Sequence, residues 1–147
     1  MEKLQTYLYR EIPITRAMGI RVGRYDDSGL ILTAPLSANI NDKTTAFAGS
    51  LATLLTLSGW ALTHLVVQAL GRQGDVVISD GRIRYLMPVH QDLEAVCAMP
   101  TEPVLREFKT KLLTSGKARW ELHSDIRVND RPAVTFSATY IARVLPG

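Results

Sequence analysis

The chain has 147 residues, 46% apolar and 21% charged, a length for one domain that can bury roughly 68–70% of its unfolded surface. That balance excludes a disordered chain, a collagen and a disulfide-stapled miniprotein, and a single cysteine, Cys97, rules out an internal disulfide and fits a reducing, cytoplasmic compartment. The net charge of +3, from 17 Lys and Arg against 14 Asp and Glu, is too small for a dedicated nucleic-acid binder.

Residues 2–10 predict a helix with Leu4 and Leu8 on one face, and no apolar leader precedes Arg10 and Glu11. Pro13 breaks it or opens a short turn through Ala17, which Gly19 ends. Segments 20–25 and 30–34 read as a hairpin around Asp26-Asp27-Ser28-Gly29. A polar loop from Pro35 to Thr44 leads to a long helix, about 47–70. Phe47, Leu51, Leu54, Ser58, Ala61, Leu65 and Ala69 are predicted as its buried face, and Thr53, Thr56, Trp60, Thr63 and Val67 as a half-polar second line.

Strands are expected at 75–78 and 82–87, as one bent strand or two short ones, and at 93–99. Thr101-Glu102-Pro103 starts a helix through about Leu113, with Val104, Leu105, Phe108 and Leu112 inward. From Arg119 to Val128, Trp120, Leu122, Ile126 and Val128 alternate with Arg119, Glu121, His123, Asp125 and Arg127, which predicts a strand with one covered and one wet face. Asn129-Asp130-Arg131-Pro132 makes the turn into a last strand, 133–144. One long apolar helix against one antiparallel sheet of five or six strands is an α+β, two-layer design.

Residues 44–71 contain no charge, long enough to suggest a membrane span. They also hold five Thr, two Ser, His64 and Gln68, which lipid would penalise, so a helix at the centre of a soluble fold is the expectation. A basic cluster, Arg106, Lys109, Lys111, Lys117 and Arg119 against Glu102 and Glu107, carries a surplus equal to that of the whole chain. It is either a solvated face or a patch suited to a phosphate-bearing ligand.

Four stretches carry a resemblance: Asn39-Ile40-Asn41-Asp42-Lys43-Thr44-Thr45-Ala46-Phe47-Ala48-Gly49-Ser50, Ser58-Gly59-Trp60, residues 79–89 (SDGRIRYLMPV) and residues 116–119 (GKAR). Together they resemble the hotdog-fold thioesterases, most closely the thioesterase-like domain that also occurs fused behind an acetyltransferase domain. The likeness runs from about Ile12 to the end, and the length leaves no room for that second domain. It implies a long central helix wrapped by a curved antiparallel sheet, and a homodimer or dimer of dimers, since one sheet leaves part of the helix uncovered.

The wider family carries an Asn, then Gly-Thr, then His-Gly-Gly where the central helix starts, and an acid two to three turns in. Asn41 and Thr45 stand at matching positions; Phe47 replaces the His, Ala48 the first Gly, and Gly49 keeps the second. The acid position falls at Thr56, and no Asp or Glu occurs from Lys43 through Gly74. Catalysis by the common helix carboxylate is therefore in question.

Thioester hydrolysis needs an oxyanion site, a water and a group to orient or deprotonate it. The backbone N–H groups of Ala48, Gly49 and Ser50 at a helix N-terminus can supply the first; small side chains there also suit close packing. Ser50 is a nucleophile, a donor to ligand or a first-turn cap, but it sits in no nucleophile elbow. Asn41 is a water-orienting amide or a turn residue. Asp80 is the best remaining carboxylate: the resemblance implies an acid here, five residues before Tyr85, on the strand facing the helix, and the alternative is a turn residue in Ser79-Asp80-Gly81; Asp42 is second. Thr45, Phe47, Thr56, Trp60 and Tyr85 complete the expected substrate surface.

His64, His90 and His123 show no metal spacing, and no cofactor motif is present. The expected function is hydrolysis of acyl-coenzyme A or acyl carrier protein thioesters. The alternative is a non-catalytic acyl-thioester-binding or regulatory module, and Phe47 at the family's His position disfavours a dehydratase.

Overall fold

The structure is a computed structural model and describes residues 1–145. Helix α1 (Glu2–Glu11) buries Leu4 and Leu8, and a single turn, α2 (Ile14–Ala17), follows Pro13. Strands β1 (Arg21–Asp26) and β2 (Gly29–Ala34) form the hairpin, where Asp26 accepts the Ser28 N–H at 2.9 Å. A 3-10 turn (Leu36–Ala38) precedes α3 (Ala48–Ala69). Then come β3 (Gly74–Tyr85), β4 (Leu93–Ala98), α4 (Glu102–Ser115), β5 (Lys117–Val128) and β6 (Arg131–Val144).

All pairings are antiparallel, in the order β1-β2-β4-β5-β6-β3. The sheet curls around α3, which touches β2, β3, β4, β5 and β6. This is the hotdog fold: a six-stranded antiparallel sheet around one long helix. Among the described residues α3 is the one helix long and apolar enough to cross a membrane, and most of its apolar surface is spent on this core.

Because the sheet curves, α3 is buried over more than one stripe. Leu51, Leu54, Ser58 and Ala61 are inside as expected, and so are Leu55, Leu57, Leu62, Thr63, Val66 and Val67. Phe47 is not: it is the residue before the helix and is 56% exposed. Leu65 is half-buried and Ala69 exposed. Gly59 lets the Tyr140 ring lie against α3; a Cβ there would meet the ring at 2.4 Å. The Tyr140 hydroxyl donates to Thr56 O at 2.7 Å, and the Trp120 indole to Thr63 Oγ1 at 3.0 Å.

The β5 alternation is realised, with Ser124 joining the inward set. Asn129 and Asp130, at φ 51° and 62°, make a two-residue turn whose left-handed backbone suits a hairpin. One expectation is corrected and one pair of alternatives is decided. Val104 is exposed, because α4 turns it towards a groove rather than the core. Of the two readings for 75–87, the single bent strand holds: β3 continues through Ser79-Asp80-Gly81, with a bulge between Ile78 and Asp80 in place of a turn.

The two sheet edges differ. β1 is short, bulged and charged, with Arg21, Arg24 and Asp26, which discourages further pairing. β3 has 12 residues and leaves Val77, Ile78 and Tyr85 exposed.

Candidate active site at the start of the central helix

The segment before α3 is held by two asparagines. Asn39, 3% exposed, donates through Nδ2 to Met18 O (2.9 Å) and Pro35 O (2.8 Å), and its backbone carbonyl accepts the Phe47 N–H at 2.7 Å. Asn41 staples its own loop. Its Oδ1 accepts the N–H groups of Lys43 (2.8 Å) and Thr45 (3.1 Å), and its Nδ2 donates to Thr45 Oγ1 (2.9 Å) and Ala46 O (3.4 Å). Ala46 N–H then ties the loop to Val89 O at 2.7 Å. The Asn41 amide is thus spent on geometry, with Thr44 accommodated at φ 65°.

This loop delivers α3 with an open first turn. Among the described residues no side chain caps it. The Ser50 and Leu51 N–H groups both go to Phe47 O, at 3.0 and 3.1 Å. Among the described residues the Ala48 and Gly49 N–H groups have no acceptor, so they, and not Ser50, are the donors available to a developing oxyanion. The Phe47 ring folds over Gly49, where a Cβ would meet it at 2.4 Å, so the absent side chain seats this ring. The Ser50 hydroxyl is half-buried and makes no hydrogen bond among the described residues.

Beside this turn lies a cavity of about 390 Å³ lined by Asn41, Ala48, Leu51 and Tyr85, among others. The Tyr85 hydroxyl donates to Ala48 O at 3.3 Å, linking β3 to the helix start. A second cavity, about 360 Å³, lies further along, with Thr53, Thr56, Trp60, Ile78 and Tyr140 in its walls. Ala48, Ala52, Thr56 and Trp60 fall at four-residue intervals, so they share one flank of α3, and β3 faces that flank. The two cavities therefore follow one another between α3 and β3. Thr53 returns its hydroxyl to Gly49 O at 2.8 Å, whereas the half-buried Thr56 hydroxyl is uncommitted among the described residues.

Asp80 does not join this group within one protomer. It pairs with Thr139, whose neighbours Ala138 and Tyr140 point into the core, so Asp80 leaves the sheet on the outer face. It also lies five residues, roughly 17 Å of strand, from Tyr85. The bulge and the pairing with β6 explain this; the local Ser-Asp-Gly signal could not. Asp42 is exposed and pairs with Lys43 at 3.0 Å.

Three cations of the basic cluster, Lys111, Lys117 and Arg119, gather with Glu107 and Glu121 around a separate groove of about 790 Å³ between α4 and β5. Its floor, Phe108 stacked on Trp120 at 4.0 Å, meets α3 at Thr63, 15 residues or roughly 22 Å beyond Ala48. Burial pushes the Cys97 thiol up to about 12, against a smaller opposing effect of Ser58, so it is no thiolate nucleophile at neutral pH. Burial also lowers the His64 pKa. Among the described residues no three His, Cys, Asp or Glu side chains gather as a metal site.

With this geometry in place, the comparisons are specific. Residues 1–144 match the family described as "Putative thioesterase (yiiD_Cterm)". The chain belongs to this family. A protein of unknown function from Chlorobaculum tepidum TLS is 33% identical with a TM-score of 0.90, over 97% of this chain and 93% of that one. A "putative thioesterase" from Shewanella oneidensis is 32% identical with a TM-score of 0.86, over 99% and 96%. A Pseudomonas aeruginosa protein at 21% identity and TM-score 0.80, over 98% and 95%, shares the fold. Family and fold together support a thioesterase function.

Proposed function

We propose that the protein hydrolyses acyl thioesters of coenzyme A or acyl carrier protein. The observation that carries this is the pair of unpaired N–H groups at Ala48 and Gly49, opening onto the groove between α3 and β3. The thioester carbonyl sits at those donors, where the helix dipole and two N–H groups stabilise the oxyanion that forms as water adds to the carbonyl carbon. The acyl chain lies along Ala52, Thr56 and Trp60. Asn41 and Tyr85 act as positioning residues, through the loop and through Ala48 O. The protein works in the cytoplasm as a homodimer or dimer of dimers, joined along β3, a 12-residue edge strand whose exposed Val77, Ile78 and Tyr85 a second copy would cover.

The absence of a carboxylate on α3 favours a second reading, an acyl-thioester binder without turnover. Thiol release from short, medium and long acyl-coenzyme A and acyl carrier protein thioesters separates the two. Release that saturates with substrate and is lost on blocking the groove supports hydrolysis. Tight binding of the same thioesters with no thiol released supports the binder.

A further inference from the structure

We propose that Trp60 sets the longest acyl chain the groove accepts. This deepens the thioesterase reading and rests on it for the identity of the ligand. The groove has two walls, α3 on one side and β3 on the other, and the Trp60 side chain crosses from one to the other. Its indole N–H donates to Val76 O on β3 at 2.9 Å, so the ring spans the gap as a bar. The bar is braced from behind. His64 stacks on Trp60 with ring centroids 4.9 Å apart and planes 11° apart, and Tyr7 of α1 stacks on His64 at 5.1 Å. Arg10 lies over the Tyr7 ring at 5.7 Å.

Along the flank before Trp60, positions 48, 52 and 56 are Ala, Ala and Thr, and the cavity there is open. From Ala48 to Trp60 is 12 residues, about 18 Å of helix. A chain that starts at the Ala48 and Gly49 donors can extend that far and then meets an aromatic ring fixed by a hydrogen bond and a stack. Three features make Trp60 a stop and not merely a lining residue: it is tethered to the opposite wall, it is backed by two further rings, and it follows small side chains.

The test uses straight-chain acyl-coenzyme A thioesters and their non-hydrolysable thioether analogues, lengthened in two-carbon steps. Hydrolysis is read by thiol release and binding of the thioethers by calorimetry. The parent protein should show a length beyond which both fall. Trp60→Ala should move that limit to longer chains, with about tenfold or more gained on the first chain that the parent rejects. Ala52→Leu fills the same groove nearer its mouth, keeps Trp60 and its brace, and should move the limit to shorter chains; it serves if Trp60→Ala fails to fold, which melting curves will reveal. An unmoved limit in folded variants overturns the inference, as does a parent that binds no thioether of any length. If the parent releases no thiol but the binding limit moves as stated, the hydrolase reading fails and the role of Trp60 stands.

Discussion

Asn41 separates a residue that holds the site from one that performs the chemistry. Asn41→Ala removes two accepted backbone N–H bonds, one donated bond to Thr45 Oγ1 and a longer one to Ala46 O. At about 1 kcal/mol net per good bond, with water restoring some of it at this half-buried site, the loss is about 2 kcal/mol. For a chain of this size that lowers Tm by about 4–8 °C. Asn41→Asp keeps both accepted N–H bonds and places a negative charge near the N-terminus of α3, worth about 0.3–1 kcal/mol in its favour, against the repulsion from Ala46 O. Its Tm should stay within a few degrees of the parent. If Asn41 acts by shaping the loop, the Asp variant keeps turnover within about tenfold while the Ala variant loses both turnover and stability. Thermal melts paired with thiol release decide it. An Asp variant of native Tm whose turnover drops by about 10²–10⁴ would refute the loop argument, because it would show the amide N–H groups themselves acting on the reaction.

Asp80→Asn should leave turnover within about twofold, since the side chain faces outward in its own protomer; a loss of about 10²–10⁴ in steady-state kinetics would return Asp80 to the chemistry, by way of a partner subunit. Gly59→Ala drives a Cβ into the ring of Tyr140, which is buried and tied to Thr56 O, and should cost about 1–3 kcal/mol, read as a lower Tm; an unchanged melt would mean the ring moves freely. Light scattering at micromolar concentration should give twice 16.3 kDa or a multiple, and Val77→Lys on the exposed β3 edge should shift the population towards 16.3 kDa. A parent that is monomeric and still binds acyl thioethers would remove the edge-to-edge assembly.

What the sequence made legible follows from how local each signal is. The 3.6-residue period of α3 and the two-residue period of β5 are written in side chains that lie side by side, so both elements were readable. The buried face of α3 was too narrow in the sequence reading because a single-stripe pattern assumes a flat partner, whereas the sheet curves round to cover Leu55, Leu62 and Val66 as well. Asp80 lies on a strand beside the helix as the resemblance implies, but the side of the strand it takes is set by pairing with β6 and by the bulge between Ile78 and Asp80, which no local spacing shows. Asn41 was found by its motif, yet its four bonds depend on a loop conformation with Thr44 in the left-handed region, which no spacing announces. The role of Trp60 needed the distant Val76 carbonyl, 16 residues on and across the groove.

The chemistry present at α3 has a definite gap, and the gap can be filled. Two N–H groups without an acceptor among the described residues offer oxyanion stabilisation, where a single donor is worth about 10²–10³ in rate, but the helix has no carboxylate to serve as general base, worth about 10²–10⁴. Thr56 stands where the resemblance places an acid, half-buried in the groove with an uncommitted hydroxyl and near the Tyr140 hydroxyl that donates to its own carbonyl. Thr56→Asp puts a carboxylate there. Partial burial should raise its pKa above the ordinary carboxylate range, towards the operating pH, which suits a base. The expected result is a gain of about tenfold or more in thiol release at neutral pH, lost as pH falls and the carboxylate is protonated, with thioether binding within a few-fold of the parent. Thr56→Asn, equal in size and uncharged, should give no gain. If the Asp variant binds the thioether as well as the parent but releases thiol no faster, the thioester carbonyl does not sit at Ala48 and Gly49 with a water within reach of position 56, and the proposed alignment along α3 is wrong.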